Sequence, residues 1–171
     1  GLSRRSGGGE LGSPSAPVYN PSDDVEELTR LGGWRPLRRL EATLTEAEAF
    51  GPPSPAATLV RIAVAYCDFA GENLELWRAL FEHRMIPGKP VPEWAVSEQM
   101  NLFRHIYAPL ATLFPKRSPE ELGVTARSLF SAVHGMVLLG LEQKLIAVPI
   151  AALRREIAAI VRAMVAGLAN E

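Results

Sequence analysis

The sequence predicts an all-α fold, a bundle of about six helices. From Val25 onward, apolar residues recur at i, i+3, i+4 and i+7, which is the spacing of one helix face. Prolines and glycines separate these apolar segments, as they do between helices. Neither a sustained two-residue alternation nor an Asn-Gly or Asp-Gly hairpin turn occurs, so strands are not expected. With 171 residues, 47% of them apolar, the chain suits one domain with its own core.

The composition excludes several classes of protein. The net charge of −1 gives no reason to expect binding to nucleic acid or to an anionic membrane through overall charge. The single cysteine, Cys67, excludes an internal disulfide and fits a reducing compartment. The sequence contains neither a secretory signal pattern nor an uncharged apolar run of the length that spans a membrane. We therefore expect a soluble cytoplasmic protein with no membrane partner.

The first 24 residues differ from the rest of the chain. The segment reads "GLSRRSGGGELGSPSAPVYNPSDD" and shows no apolar periodicity, so taken alone it predicts a loop or a disordered segment. Residues 25–171 are expected to form the folded domain. The first predicted helix covers Val25–Phe50, with Ser22 as its N-cap and a bend or break at Gly32-Gly33 and Pro36.

The later helices have clear start signals. Ser54 followed by Pro55 is a favoured beginning, and the helix after it carries an apolar stripe. The members of that stripe are Leu59, Ile62, Ala63, Tyr66 and Phe69. A short helix is predicted over Asn73–Met85 and a longer one over Pro92–Phe114. Within the longer helix, Pro109 predicts a kink.

Two further helices complete the chain. Ser118, Pro119 and two acidic residues open the first of them. The last runs from about Pro149 to Leu168, with a predicted apolar stripe of Ile150, Leu153, Ile157, Ile160, Met164 and Leu168. Small apolar residues, Val161 and Val165 among them, give it a second face.

These last two helices carry more apolar surface than one core requires. One explanation is a central helix pair in a monomer. The other, which we favour, is a homodimer in which two helices of each subunit form a four-helix interface. The residues predicted for that interface are Gly135, Leu139, Leu153, Ile157, Val161 and Met164.

Motifs for catalysis are absent from the sequence. No phosphate-binding glycine loop and no Gly-x-Ser-x-Gly elbow occurs, so no catalytic residue and no cofactor is predicted. The three histidines, His83, His105 and His134, lie on three different predicted helices without metal-ligand spacing, and no metal site is predicted. An enzyme that uses His134 as a base is the least favoured of three hypotheses. Cys67, on a buried helix stripe, is expected to be inert.

Large adaptable side chains are concentrated between Trp77 and Tyr107, with polar residues interleaved at helical spacing. Such a stripe is typical of a plain core, and it is also what lines a small-molecule pocket, which is apolar with a few convergent polar groups. The residues themselves leave both interpretations open.

Three segments resemble a known family. They are "ENLELWRALF" at 72–81, "LFSAVHGMVLLGLE" at 129–142 and the final amphipathic helix. The chain from Val25 onward resembles the TetR family of bacterial transcriptional regulators, in the branch whose sensor domain carries a Trp-His-Gly signature. Here Val133 replaces the tryptophan of that signature.

The opening segment is similar to the second half of that family's helix-turn-helix. Glu10-Leu11-Gly12 would form the turn and residues 13–19 the recognition helix, with Ser13, Ser15 and Tyr19 as candidate DNA contacts. The helix that precedes this unit in the family has no counterpart, and Arg4 and Arg5 are the only basic residues before position 30. Because phosphate contacts from Lys and Arg supply much of DNA affinity, we expect negligible specific DNA binding by these 171 residues alone. Operator DNA is a partner only where a complete helix-turn-helix is present.

The resemblance implies a regulator, most simply a repressor, that binds a small lipophilic or aromatic effector in its helical domain and dimerises through its last two helices. The residues expected to contact the effector are Tyr66, Trp77, Phe81, Met85, Met100, Phe103, Tyr107 and His134. The alternative is a helical dimerisation protein that binds neither ligand nor DNA.

Overall fold

The structure, a computed structural model, describes residues 35–51, 53–81, 93–143 and 146–170. These residues form six helices and no strand, which confirms the predicted all-α fold. The helices are α1 Arg35–Ala49, α2 Pro55–Glu72, α3 Leu74–Phe81, α4 Glu93–Leu113, α5 Pro119–Leu141 and α6 Ile150–Leu168. The predicted segment 1–24, the N-cap Ser22 and the Gly32-Gly33 break lie outside the described residues.

Helix α2 is the centre of the bundle and packs against each of the other five helices. Its start follows from the sequence, because the Ser54 side chain accepts a hydrogen bond from the Ala57 N–H at 3.3 Å and Pro55 occupies the first helical position. The predicted stripe from Leu59 to Phe69 is buried, as expected. Burial of this stripe is the main apolar contribution of α2 to the core.

Helix α1 lies against α2, α3 and α4. Pro36, where a bend or break is predicted, lies in the first turn of α1, which begins at Arg35, and a proline there removes no intrahelical hydrogen bond. At the other end, the Arg61 guanidinium donates to the carbonyl oxygens of Ala47 at 2.9 Å and Glu48 at 3.3 Å. A Cβ at Gly51 would lie 2.8 Å from Arg61 Nη1, so glycine at this position leaves room for the contact.

Helix α5 begins at a capping box. The Ser118 hydroxyl accepts from the Glu121 N–H at 3.2 Å, and the Glu121 carboxylate accepts from the Ser118 N–H at 2.7 Å. The hydrogen bond from the Ser118 backbone N–H to the ionised carboxylate, and after it a hydrogen bond from the Ser118 side chain, hold the pKa of Glu121 below its ordinary value. The start signal predicted from Ser118 and the residues after it is confirmed.

Helices α5 and α6 pack closely at Gly140, where an added Cβ would lie 2.8 Å from Leu153 Cδ2. The predicted stripe on α6 needs correction. The buried residues of α6 are Leu153, Ile157, Val161 and Val165, each four residues from the next. Ile150 and Ile160 are exposed instead. The helix is rotated so that this row faces α2 and α5. The sequence did not determine this rotation, because apolar residues occur on most sides of the helix.

Candidate functional site

Six aromatic side chains from four helices meet beside α2, and we call them the aromatic cluster. They are Tyr66 of α2, Trp77 and Phe81 of α3, Phe103 of α4, and Phe130 and His134 of α5. Tyr66 lies at the centre, with ring centroids 5.8 Å from those of both Phe81 and Phe130. These are the separations at which aromatic edges and faces attract each other.

Helical spacing places these rings together. Trp77 and Phe81 are four residues apart on α3, and so are Phe130 and His134 on α5, so each pair shares one helix face. The Phe130 and His134 rings stack at 5.3 Å, and Phe81 lies 5.2 Å from His134. Phe103 reaches the cluster through Phe130, at 5.3 Å.

A chain of hydrogen bonds runs through the cluster. The Trp77 indole N–H donates to the Tyr66 hydroxyl oxygen at 2.8 Å, and this hydroxyl lies 2.7 Å from His134 Nδ1. Indole is only a donor, so the Tyr66 oxygen must accept from it. Tyr66 is buried, and its own O–H would lose its partner unless it donates to Nδ1. His134 Nδ1 is therefore the unprotonated nitrogen of a neutral ring.

Burial acts on both titratable members of this chain. It raises the pKa of Tyr66 far above its ordinary value, despite the opposing effect of the Trp77 hydrogen bond. It also lowers the pKa of His134, because desolvation penalises the charged imidazolium. Both effects favour the neutral forms that the hydrogen-bond chain requires.

The cluster has a buried inner part and a half-buried outer part. Trp77 is 1% exposed and Tyr66 is also buried, so these two belong to the core. Phe81, Phe103, Phe130 and His134 are only partly covered. The outer part thus offers apolar surface next to a polar ring, which is the combination found in small-molecule sites.

The structure brings together five of the eight residues predicted to contact an effector: Tyr66, Trp77, Phe81, Phe103 and His134. Tyr107 is half-buried against the core, without a ring contact to the cluster among those described. Met100 is 66% exposed and lies outside the cluster, and Met85 lies outside the described residues. Phe130 was missed, although its position four residues before His134 on the same helix was a usable signal.

A comparison with protein families identifies this fold. The family model described as tetracyclin repressor-like, C-terminal domain, matches residues 59–168, which include α3 to α6 and most of α2. The chain belongs to this TetR-like family. The search of curated proteins found no match to the chain. The match covers every residue of the aromatic cluster, so the cluster lies within the matched domain of this chain.

The burial of individual residues in the TetR-like domain corrects part of the predicted dimer interface. Leu153, Ile157 and Val161 are 2%, 0% and 2% exposed, because they pack inside the subunit against its own helices. They are core residues and are removed from the predicted interface. Met164 is partly buried against the core as well. Gly135 and Leu139 remain accessible, since a Cβ at Gly135 would meet nothing within 4 Å and Leu139 is 36% exposed.

Other predicted features of the TetR-like domain lie elsewhere. Ser13, Ser15 and Tyr19, the candidate DNA contacts, lie outside the described residues. Cys67 is buried, as predicted, and burial raises the pKa of its thiol to about 11. Within the described ranges, no group of three His, Cys, Asp or Glu side chains lies close enough to hold a metal ion.

A second histidine is buried between α1 and α4. His105 Nδ1 lies 2.7 Å from a carboxylate oxygen of Glu48, and His105 Nε2 has no hydrogen-bond partner among the described residues. Arg104 pairs with Glu41 at 2.9 Å one residue earlier on α4. These contacts join α1 to α4 and are not part of the aromatic cluster.

Helix α5 has the length and apolar composition of a membrane-spanning helix. In the TetR-like domain it packs against α2, α4 and α6, and a third of the window in question is buried there. Its apolar character is therefore explained in part by the core and in part by the open face that carries Gly135 and Leu139.

Proposed function

We propose that this protein is a TetR-family transcriptional regulator, most simply a cytoplasmic repressor, whose helical domain binds a small lipophilic effector at the aromatic cluster. The observation that supports this is the outer part of the cluster: partly exposed phenyl rings around His134, held in one orientation by Tyr66 and Trp77. Apolar rings around one half-exposed polar group are the usual lining of a small-molecule site.

The connections of α1 support a route by which an effector would act. Arg39 donates to the Asn73 side chain at 2.9 Å beside α3, Arg104 of α4 pairs with Glu41, and His105 of α4 contacts Glu48. Helix α1 thus has polar contacts with the start of α3 and with α4, both of which carry cluster residues. In this proposal, rearrangement of the cluster shifts α1, and a complete helix-turn-helix preceding it would change its fit to operator DNA.

Dimerisation is the second part of the proposal. The open face of α5 and α6 carries exposed Val124, Leu139 and Ile160. Gly135 and Gly167 lie on the same two helices, and a Cβ at either one would meet nothing within 4 Å. Small residues beside apolar ones let helices of two subunits approach closely, and a four-helix interface of this kind fits the TetR-like family.

A thermal-shift screen of lipophilic compounds tests the effector site. Compounds that bind the cluster should raise the melting temperature of the wild-type protein and lose most of that effect in Phe103→Ala. Phe114→Ala is the matched control, because Phe114 is also partly buried against the core but makes no ring contact with the cluster. If the best compounds stabilise all three proteins equally, the effector site is elsewhere. If no compound binds, the alternative of a dimerisation protein without ligand gains support.

A further inference from the structure

The hydrogen-bond chain also determines which nitrogen of His134 is free to bind an effector. Nδ1 accepts from Tyr66, so the proton of the neutral ring lies on Nε2. Nε2 has no hydrogen-bond partner among the described residues. It is also absent from the polar atoms that are fully buried without a partner, so it is at least partly exposed. It is therefore an accessible N–H donor beside Phe81 and Phe130.

The same chain opposes a charge on His134. An imidazolium carries hydrogens on both nitrogens, so Nδ1 could no longer accept from Tyr66. The buried Tyr66 hydroxyl would then have to accept from two donors while its own O–H lost its partner, which costs free energy. The lowered pKa of His134, caused by burial, agrees with this geometry.

A ring that stays neutral selects between kinds of effector. A carboxylate placed beside Nε2 would be desolvated among phenyl rings, and drawing a proton onto His134 would disrupt the Tyr66 contact. An ammonium group would place its own N–H donors against the Nε2–H donor, so no hydrogen bond could form. A neutral carbonyl oxygen accepts from Nε2–H without changing any charge.

We propose that the effector is a neutral aromatic or lipophilic carbonyl compound, such as a ketone, ester, amide or quinone, whose oxygen accepts a hydrogen bond from His134 Nε2. This inference rests on the proposed effector site, and it adds the polar group by which that site discriminates. Tyr66 and Trp77 are positioning residues, since they fix the tautomer of His134 and need not touch the effector themselves.

The first experiment needs no effector. Long-range proton–nitrogen NMR of the imidazole groups distinguishes the two neutral tautomers and the imidazolium, and His134→Gln assigns the His134 signals among the three histidines of the chain. At pH 7.5, His134 should show an unprotonated Nδ1 and a protonated Nε2. An Nδ1-protonated ring or an imidazolium would overturn the inference and leave the proposed effector site standing.

The second experiment compares three probes of similar size by NMR titration: acetophenone, isopropylbenzene and benzoate. Isopropylbenzene has nearly the shape of acetophenone but no acceptor. Since one hydrogen bond contributes a modest net free energy, acetophenone should bind roughly three- to tenfold tighter than isopropylbenzene, and benzoate should bind weakest. Equal binding of the first two, or tightest binding of benzoate, contradicts the carbonyl inference alone. Failure of all probes up to their solubility contradicts the effector site, and with it this inference.

Variants connect the preference to His134. His134→Phe should abolish the advantage of acetophenone over isopropylbenzene while isopropylbenzene still binds. Tyr66→Phe, which removes the positioning hydroxyl but keeps the ring, should reduce that advantage, and Phe114→Ala, outside the cluster, should leave it unchanged. If His134→Phe does not fold, the comparison of Tyr66→Phe with Phe114→Ala decides. An advantage that survives in Tyr66→Phe contradicts the positioning role.

Discussion

At the scale of single residues, Tyr66 has two partners that depend on one oxygen atom. Its hydroxyl accepts from Trp77 and donates to His134, and both contacts are shorter than 3 Å, at 2.8 Å and 2.7 Å. Loss of the Tyr66 hydroxyl would affect stability mainly through Trp77, because the indole N–H is buried and its only described acceptor is this hydroxyl. The hydroxyl therefore has a structural role in addition to the positioning role proposed for it.

Tyr66→Phe should lower the free energy of unfolding by about 1–3 kcal/mol, the cost of leaving a buried donor without its acceptor. Urea unfolding measures the difference. Tyr107→Phe is the control, since it deletes the same atom from a half-buried tyrosine that has no hydrogen bond to the described residues. A loss as large in Tyr107→Phe as in Tyr66→Phe would show that the hydrogen-bond chain adds nothing to stability.

His134 makes stability depend on pH in a stated direction. Because burial lowers its pKa in the folded state, the unfolded chain binds more protons as the pH falls below the ordinary histidine value of about 6.5. The stabilisation is therefore complete above that pH and is lost progressively as the pH falls toward the lowered folded value. Between pH 7.5 and pH 5.5, the urea midpoint of the wild-type protein should fall further than that of His134→Gln. Parallel changes in the two proteins would contradict the assignment to His134.

At the scale of elements, local signals predicted the helix starts well. Ser54 with Pro55 and Ser118 with Pro119 determine where α2 and α5 begin, because a cap and a proline act within one helical turn. The rotation of α6 was predicted less well. Apolar residues surround most of this helix, so the sequence did not show that Val161 faces the core while Ile160 lies at the surface.

The aromatic cluster illustrates the same limit for a site. Five of its members were predicted because large aromatic residues at helical spacing stand out in a sequence. The hydrogen-bond order among them was not predictable, since Tyr66 and His134 are 68 positions apart and meet only through the packing of α2 and α5. Met100 lies outside the cluster because its position on α4 faces solvent.

The close contact of α5 with α6 depends on the missing side chain of Gly140. Gly140→Ala adds a Cβ 2.8 Å from Leu153 Cδ2 and 3.0 Å from Leu153 Cδ1, and Leu153 itself is only 2% exposed. Overpacking of this kind costs about 1–3 kcal/mol, which offsets the gain of about 1 kcal/mol in helix propensity. Gly123→Ala on the same helix meets nothing within 4 Å and should show only the gain. The expected order of stability by urea unfolding is Gly123→Ala, wild type, Gly140→Ala, and the opposite order would contradict the packing.

At the scale of the whole molecule, the corrected interface predicts which substitutions affect assembly without affecting the fold. Leu139 and Ile160 are 36% and 41% exposed in the subunit, and Gly135 has open space around it. Leu153 and Ile157, which the sequence placed in the interface, belong to the core, so substitutions there would destabilise the subunit itself. Substitutions at the three accessible positions therefore separate dimerisation from folding.

Sedimentation at micromolar concentration should show a wild-type species of twice the 18.6 kDa chain mass. Leu139→Arg combined with Ile160→Arg should give the monomer, because charges buried at an apolar interface lose their hydration. Gly135→Leu should do the same by blocking close helix approach, with unchanged helical circular dichroism. Phe50→Arg is the control, since Phe50 is exposed just after α1, a helix that packs against α2, α3 and α4. A wild-type monomer, or a dimer that survives both changes to the face, would place the interface elsewhere.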